Sequence, residues 1–296
     1  MSYFEPAPAA THLDTLLQAL AASGDTGVAW LRQNVETLQH SAPEAVFAKL
    51  AGAHAGARRR IGEASLGALG PELSTACGPV DTRHWGRDAA ARACLLLAGL
   101  RAGADPAELA DALYRSGDEG ERTAVLKSLC LLREPAAALA TARAAARTNS
   151  MRLYAALALD NPYPAQCYDD ADFNQLALKC LFNGLPINRI TGLRRRANQR
   201  LSAMCEDYHD ERVAAGRTVP ADIWLALVPC AGARGLALAC AQLGSDTREH
   251  RRYAAQALAA RRDSPEVDAA LARRSAEEPD AEVRAILIGA GAQDPD

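Results

Sequence analysis

Residues that could hold an anion are concentrated between positions 161 and 229 of the chain. In a helix predicted to start near Asp170, Gln175 and Lys179 are four residues apart and share a face, with Asn174 at its edge. Two amides and an ammonium group can bind a phosphate or a carboxylate, but amides near a helix start also cap or brace neighbouring loops. This face therefore has both a ligand-binding and a structural interpretation.

A run of five arginines without an acidic residue follows between positions 189 and 200. Guanidinium groups suit bidentate contacts with phosphate or carboxylate, which makes Arg189 and Arg194 candidates for an anion site. A solvated basic face explains the same run. A nucleic-acid surface would require these arginines and those at positions 58–60 to form one continuous stripe. The net charge of −3 argues against nucleic acid as a partner.

Acidic residues follow the arginines on the next predicted helix. Asp207 and Glu211 are four residues apart, as are Tyr208 and Arg212, so the two pairs lie on adjoining lines of the helix. The carboxylates are candidates for acid and base in a lyase or hydrolase, which requires at least one of them to lie in a cleft with a perturbed pKa. Charged networks between helices explain the same residues. No nucleophile is evident, and no residue is assigned a catalytic role.

The segment Asn161-Pro162-Tyr163-Pro164 precedes these helices. Because a proline disfavours the helical conformation in the residue before it, the segment predicts a rigid extended turn. The turn would lie between a helix ending near Leu159 and one starting near Asp170. Asn161 and Tyr163 then either form a tight connection between helices or face a ligand.

The rest of the chain predicts a helical scaffold. Alanine dominates, β-branched residues are scarce and aromatic residues make up 5% of the chain, so an almost entirely α-helical protein is expected. Amphipathic helices are predicted at 13–20, 28–38, 43–54, 88–100 and after Asp105-Pro106. A further unit begins at 117–121, with acidic residues in its first turn, and runs to Leu129. Gly70-Pro71 and Cys77-Gly78-Pro79 predict loops.

The C-terminal part suggests internal repeats. Arg252 and Arg284 lie in similar segments 32 residues apart, and a helix is predicted between them at 265–275. This spacing is typical of HEAT-like two-helix repeats. An α-solenoid is the predicted fold, with a compact all-α bundle as the alternative. Three regions follow: N-terminal helices at 1–80, a helical core at 81–245 that contains the polar stretch 161–229, and HEAT-like helices at 246–296.

Composition excludes several classes of site. The eight cysteines include no pair at two-residue spacing, so no metal site is expected, and no cofactor is predicted. Cysteines in apolar helical runs, namely Cys94, Cys130, Cys180 and Cys240, are predicted to be reduced core residues. No signal peptide and no membrane-spanning run is recognised, so a cytoplasmic location is expected.

Several short segments of the polar stretch together resemble the EboA family. They are Asn161-Pro162-Tyr163-Pro164, Phe173-Asn174-Gln175, Leu178-Lys179, Leu181-Phe182, Arg189-Ile190, Gly192-Leu193, Asp207-Tyr208, Glu211-Arg212, Ala215-Gly216-Arg217, Val219-Pro220 and Trp224. The segment from Gly117 to Leu132 fits as well, and the resemblance is close over residues 85–229. Arg194-Arg195-Arg196 departs from the mixed charge expected of the family.

The resemblance implies a gene neighbourhood more than a reaction. Family members are encoded in Ebo clusters beside a TatD-like metal hydrolase, a UbiA-like prenyltransferase, a sugar-isomerase-like barrel protein and a dehydroquinate-synthase-like cyclase. These clusters are associated with metabolite traffic, including export of natural-product precursors. The resemblance therefore implies a soluble cytoplasmic protein with other Ebo-cluster proteins as partners and no assigned chemistry.

The leading hypothesis is a non-enzymatic helical-repeat protein that binds a small anionic metabolite or a partner enzyme. In this hypothesis Asn174, Gln175, Lys179 and Arg189 contact an anionic group, and Asp207, Tyr208, Glu211 and Arg212 shape the site. It predicts that these side chains converge in a concave pocket. An acid/base enzyme that uses Asp207 and Glu211 is the rival from another class.

Overall fold

The computed structural model describes residues 9–24, 27–262 and 264–289, and helices account for 70% of these residues. The described residues form sixteen α-helices, several short 3-10 turns and one two-stranded sheet. The prediction of an all-α fold is confirmed. The chain divides into an N-terminal unit that ends at Tyr168 and a C-terminal unit that begins at Asp169. The sequence divisions at residues 80 and 245 stay predictions.

The N-terminal unit contains nine of the helices and the sheet. In chain order its elements are α1 (Ala9–Ala22), α2 (Val28–Gln39), α3 (Pro43–Ile61), β1 (Glu72–Thr75), β2 (Gly78–Asp81), α4 (Arg87–Arg101), α5 (Pro106–Ser116), α6 (Glu119–Ser128), α7 (Leu139–Ala146), α8 (Met151–Ala158) and α9 (Tyr163–Cys167). The predicted start of α5 is confirmed, because the Asp105 side chain accepts from the Glu108 N–H at 2.8 Å. Asp118 and Glu121 form a capping box at the start of α6.

Helix α4 is the centre of the N-terminal unit, and α1, α2, α3 and α6 pack around it. Every residue from Asp88 to Gly99 is buried, and most of them are small. A Cβ atom at Gly99 would lie 2.9 Å from both Val46 Cγ1 and Leu50 Cδ1. A Cβ atom there would require these methyl groups to shift, so glycine allows α3 to pack closely on α4.

Two local predictions in this unit are corrected by the structure. Loops were predicted at Gly70-Pro71 and Cys77-Gly78-Pro79, but β1 and β2 form an antiparallel hairpin here, in which Leu73 pairs with Val80. The first segment precedes β1, and the second contains the end of the turn and the start of β2. Pro79 is tolerated because a two-stranded sheet consists of edge strands. The predicted extended turn at 161–164 contains the start of a short helix, α9, with Pro164 in its first turn. A proline fits there because the first N–H groups of a helix have no intrahelical partner.

The C-terminal unit contains seven helices. They are α10 (Asp170–Phe182), α11 (Gln199–Ala214), α12 (Trp224–Leu227), α13 (Ala233–Gln242), α14 (Arg248–Ala259), α15 (Pro265–Glu277) and α16 (Ala281–Leu287). The predicted helix starts near Asp170 and at Pro265 are confirmed. Trp224 is fully buried, as predicted for a core residue.

A buried network of charged side chains joins α3, α4 and α6. Arg92 donates through Nη1 to Asp88 and through Nε to the main-chain oxygen of His54 at 3.0 Å. The Nδ1 atom of His54 lies 3.9 Å from Glu121 Oε1. Burial lowers the pKa of His54, and contact with His54 lowers the pKa of Glu121.

We expect acid to destabilise this network in two steps. His54 resists protonation in the folded state, so the free energy of unfolding should fall as the pH drops below its ordinary pKa of 6.5. Glu121 has a lowered folded pKa, so its contribution is complete above its ordinary value of 4.5 and is lost as the pH falls through the folded pKa. Urea unfolding followed by circular dichroism between pH 7.5 and pH 2 measures both steps. A His54→Gln variant should lose the first step, and an unchanged pH dependence in that variant would contradict the assignment.

Candidate functional site

The two candidate residues of the N-terminal unit are internal. The Asn161 amide donates to the main-chain oxygens of Leu126 at 3.1 Å and Ala156 at 3.0 Å, and its Oδ1 accepts from the Tyr163 N–H. Tyr163 is fully buried, and its hydroxyl donates to the Pro135 oxygen at 3.0 Å. Both amide hydrogens of Asn161 are used within the protein, which favours the structural interpretation of this turn.

The predicted polar face of α10 is divided between the interior and solvent. Asn174 is 2% exposed and exchanges two hydrogen bonds with the Asn198 side chain, at 3.1 and 3.0 Å. Asn198 also caps α11 by accepting from the Leu201 N–H at 2.9 Å. Gln175, the next residue on α10, is exposed. Asn174 therefore braces the start of α11, whereas Gln175 faces solvent.

The arginine run does not behave as a single surface. Arg196 forms an ion pair with Asp170 at 3.0 Å, and its guanidinium lies 4.8 Å from the centre of the Phe173 ring. Arg189 follows Ile187 in a short 3-10 turn, and Arg194 lies in the turn before α11; both side chains are exposed. Part of the predicted basic run thus serves packing between α10 and the segment that leads into α11.

An exposed aromatic residue and two of the predicted residues meet near the ends of α10 and α11, and a third predicted residue lies one helical turn away. The Phe182 and Tyr208 ring centres are 4.5 Å apart, and the Arg212 guanidinium lies 5.8 Å from the Tyr208 ring centre. Phe182 is 54% exposed although Tyr208 beneath it is buried. Lys179 lies one helical turn before Phe182 on α10, so the two side chains are neighbours on the helix surface. We call Lys179, Phe182, Tyr208 and Arg212 the aromatic–cationic surface.

The Arg212 guanidinium is held in place by the loop that follows α11. Its Nε and Nη2 atoms donate to the Thr218 oxygen at 2.8 and 2.6 Å. Among the described residues Nη1 has no hydrogen bond. A fixed guanidinium with an unused donor edge is suited to receive an oxygen anion, because little side-chain entropy is lost on binding.

Burial also affects the other polar groups of the aromatic–cationic surface. It raises the pKa of the Tyr208 hydroxyl, against which the charges of Arg212 and Arg217 act. Partial burial lowers the pKa of Lys179. A partly desolvated ammonium group gains more from an anionic partner than a fully hydrated one does. The surface therefore combines cationic groups with an exposed apolar ring.

The acidic pair lies outside any enclosed site. Asp207 and Glu211 are both exposed, one turn apart on α11. The cleft that the acid/base hypothesis requires is therefore not formed around either carboxylate. His209, between them in sequence, is buried, and its ring centre lies 5.7 Å from that of Trp224.

The sequence did not indicate Phe182 as a site residue, nor a polar contact that the buried Trp224 makes. Phe182 carries a detectable signal, because it stands three residues after Lys179 and is therefore on the same face. The second contact has no local signal. The Trp224 indole donates to His250 Nδ1 at 3.1 Å, and burial lowers the pKa of His250. Asp222 accepts from the Ile187 N–H at 2.8 Å, and burial raises its pKa.

No group of three or more His, Cys, Asp or Glu side chains in the described part of the chain is arranged to hold a metal ion. Across the same residues, no helix combines the length and the apolar character that crossing a bilayer requires.

Comparison with known proteins gave one match. A family model described as metabolite traffic protein EboA matches residues 13–228. No curated protein matches the chain, and no solved structure does. The matched range includes α10 and α11 with the whole aromatic–cationic surface, and it ends before α13.

Proposed function

The chain belongs to the EboA family of metabolite traffic proteins, and from this premise we propose that it is a non-enzymatic binding protein. Its binding site would be the aromatic–cationic surface. Its ligand would be a small anionic metabolite that also carries an apolar or aromatic portion. We also propose that the protein is cytoplasmic and that it takes part in the traffic and export of natural-product precursors. Its partners would be the enzymes of the Ebo cluster.

One observation carries the proposal: an exposed phenylalanine packs on a buried tyrosine beside a fixed guanidinium. Exposed aromatic rings offer a flat apolar platform at little conformational entropy cost. The half-exposed Phe182 ring would contact the apolar portion of the ligand, while Arg212 Nη1 and the Lys179 ammonium would receive its anionic group. Gln175, Arg189 and Arg194, which are exposed, would lie outside this first set of contacts.

The C-terminal helices support the repeat interpretation of the fold. Helix α13 packs on α14 and on α15, and α14 packs on α15 and on α16. Stacked two-helix units give this pattern, because each helix contacts both its partner and the equivalent helix of the next unit. We propose that α13–α14 and α15–α16 are two such units, which the predicted interval of 32 residues also fits.

We expect a Lys179→Ala, Phe182→Ala double variant to lose a bound small molecule that the wild-type protein retains. The protein is purified from a host that expresses the whole gene neighbourhood and is analysed by native mass spectrometry. A charge-assisted hydrogen bond contributes about 1.5–3 kcal/mol, so losing the ammonium contact alone should raise Kd by about tenfold or more. Titration of the identified molecule into the variant measures this change.

The matched control is an Arg195→Ala, Phe47→Ala double variant. It also removes one cation and one exposed phenylalanine, the latter from α3. The control should retain the small molecule. Loss of the molecule from the control as well would contradict the proposed location. A retained protein subunit in place of a small molecule, lost only in the first variant, would replace the metabolite with a partner enzyme at the same surface.

A further inference from the structure

The aromatic–cationic surface lies at the C-terminal ends of two helices. Phe182 is the last residue of α10, and Arg212 lies in the last turn of α11. A glycine with positive φ turns the chain after each helix, Gly184 after α10 and Gly216 after α11, and its N–H donates to a carbonyl of the last turn at 3.2 and 3.0 Å, respectively. Each helix places about half a negative elementary charge at this end. A ligand anion therefore meets two helix ends that repel it.

The turn after α11 determines which edge of Arg212 remains for a ligand. The Arg217 N–H donates to the Arg212 main-chain oxygen at 2.8 Å, so the chain bends back over the last turn of the helix. The Thr218 oxygen then accepts from both Nε and Nη2, which form one edge of the planar guanidinium group. The fork between Nη1 and Nη2 is the other edge that can donate two parallel hydrogen bonds. Such a fork matches the two oxygens of a carboxylate.

The apolar platform lies close to that fork. The Tyr208 ring centre is 4.5 Å from the Phe182 ring centre and 5.8 Å from the Arg212 guanidinium carbon. Together, the two distances place the Phe182 ring within about 10 Å of the guanidinium. The Tyr208 hydroxyl also donates to the Leu181 oxygen at 3.4 Å, which ties it to the residue before Phe182. A ligand therefore needs only a short chain between its carboxylate and its apolar group to reach both contacts.

The charges near the Tyr208 ring favour a ligand with one negative charge over a ligand with two. Arg212 and Arg217 both act electrostatically on the Tyr208 hydroxyl, and so does the opposite charge of Glu211. Lys179, in the last turn of α10, adds a third cation. The two helix ends offset about one of the three positive charges, and Glu211 offsets another. The positive charge that remains suits a monoanion and leaves a second negative charge without a partner.

We propose that the ligand of this surface is a monocarboxylate in which a short chain joins the carboxylate to an aromatic ring or a similarly flat apolar group. This inference rests on the proposed function of the aromatic–cationic surface and narrows its ligand. The carboxylate accepts two parallel hydrogen bonds from the Arg212 fork, and the apolar group covers the exposed part of Phe182. A phosphate monoester carries a charge of about −1.5 to −2 at pH 7, so it binds less well beside the two helix ends.

Three small probes that differ in their charged group test the proposal on the full-length protein. They are 3-phenylpropanoate, 2-phenylethyl phosphate and 2-phenylethylammonium. The protein is labelled with 4-fluorophenylalanine, which gives one fluorine NMR signal for each of its four phenylalanines. The signal missing from a Phe182→Leu variant belongs to Phe182. Titration at pH 7.5 should shift this signal with 3-phenylpropanoate, whose Kd should be about three- to thirtyfold lower than that of the phosphate.

An exchange of arginine for lysine tests the contribution of the fork. Arg212→Lys keeps the positive charge but cannot donate two parallel hydrogen bonds, so the Kd of 3-phenylpropanoate should rise about tenfold or more. Arg217→Lys makes the same exchange at an exposed position five residues later and is the matched control. The control should leave the Kd unchanged, because the charge of Arg217 is kept and its fork is not used.

The outcomes separate this inference from the proposed function. Equal or tighter binding of 2-phenylethyl phosphate at Phe182 would overturn the carboxylate assignment and leave an anion-binding surface. An unmoved Phe182 signal with 3-phenylpropanoate would also overturn it, while the loss of a retained molecule from Lys179→Ala, Phe182→Ala would still support the proposed function. Binding of 2-phenylethylammonium in place of both anions would contradict the two together. All three probe results are read from wild-type protein, so a lysine variant that fails to fold does not affect the decision.

Discussion

Replacing Arg92 by alanine should destabilise the N-terminal unit by about 3–5 kcal/mol, because the change leaves the buried Asp88 carboxylate without its counter-charge. The Arg92 side chain is 1% exposed and lies between Asp88 and the main-chain oxygen of His54. Water cannot replace the lost hydrogen bonds in such surroundings. Denaturant unfolding followed by circular dichroism measures the loss.

An exposed ion pair on α5 provides the matched control. Arg115 and Asp111 have the same spacing of four residues and lie 2.7 Å apart, but their side chains are 77% and 39% exposed. We expect Arg115→Ala to change the free energy of unfolding by less than about 1 kcal/mol. An equal effect of the two substitutions would show that burial does not determine the strength of the Arg92 pair.

A double variant separates the unpaired charge from the lost packing. Arg92→Met with Asp88→Asn removes both charges and keeps most of the side-chain volume. Replacing both partners of a buried ion pair is often nearly neutral, so this variant should recover a large part of the stability lost in Arg92→Ala. No recovery would mean that the contacts of Arg92 to His54 and the surrounding helices, rather than the charge of Asp88, dominate.

The features that could be predicted from the sequence are those fixed by residues close together in the chain. Asp105 before Pro106 defines a helix start by a local hydrogen bond, and this start is confirmed. The capping box of Asp118 and Glu121 at the start of α6 has the same local origin. The all-α fold follows from composition for the same reason, since helix propensity acts within a few residues. The hairpin at 72–81 was missed because its four-residue strands have too little sequence to show an alternating pattern.

The contacts of the candidate site could not be predicted from helical spacing alone. Asn174 and Gln175 are adjacent and chemically similar, but one braces α11 and the other faces solvent. The difference depends on where Asn198 lies in the folded chain, which spacing within α10 cannot show. The pairing of Phe182 with Tyr208 has the same origin. The sequence identified the tyrosine and arginine of this surface by their helical spacing, and the packing of α10 on α11 supplies the phenylalanine.

The proposed function rests on a surface rather than on an enclosed catalytic centre. The two carboxylates that an enzyme would use, Asp207 and Glu211, are exposed to water. An aromatic platform beside a fixed guanidinium can bind an anion without an enclosed centre. This arrangement supports the proposed binding function.

Replacing Glu278 by alanine should destabilise the C-terminal helices by about 3–5 kcal/mol, because the substitution removes the shared partner of two arginines. The Glu278 side chain is fully buried between α14, α15 and α16. Its carboxylate accepts from Arg251 Nε at 3.0 Å and from Arg274 Nε at 2.9 Å, and from the Asp280 N–H at 3.1 Å. Hydrogen exchange of peptides from 246–289 measures the local free energy of opening.

The pH dependence of the Glu278 contribution and a control substitution at Glu282 test the prediction for Glu278→Ala. Burial alone raises the pKa of Glu278, but the hydrogen bonds from Arg251 and Arg274 outweigh burial and hold the pKa below its ordinary value of 4.5. Its contribution should therefore be complete above that pH and decline as the pH falls through the folded pKa. Glu282 pairs with Arg248 but is 61% exposed, so Glu282→Ala should change the exchange rates little. If the two alanine variants exchange alike, the buried carboxylate does not hold these helices together, and apolar contacts such as Val283 and Leu287 must do so instead.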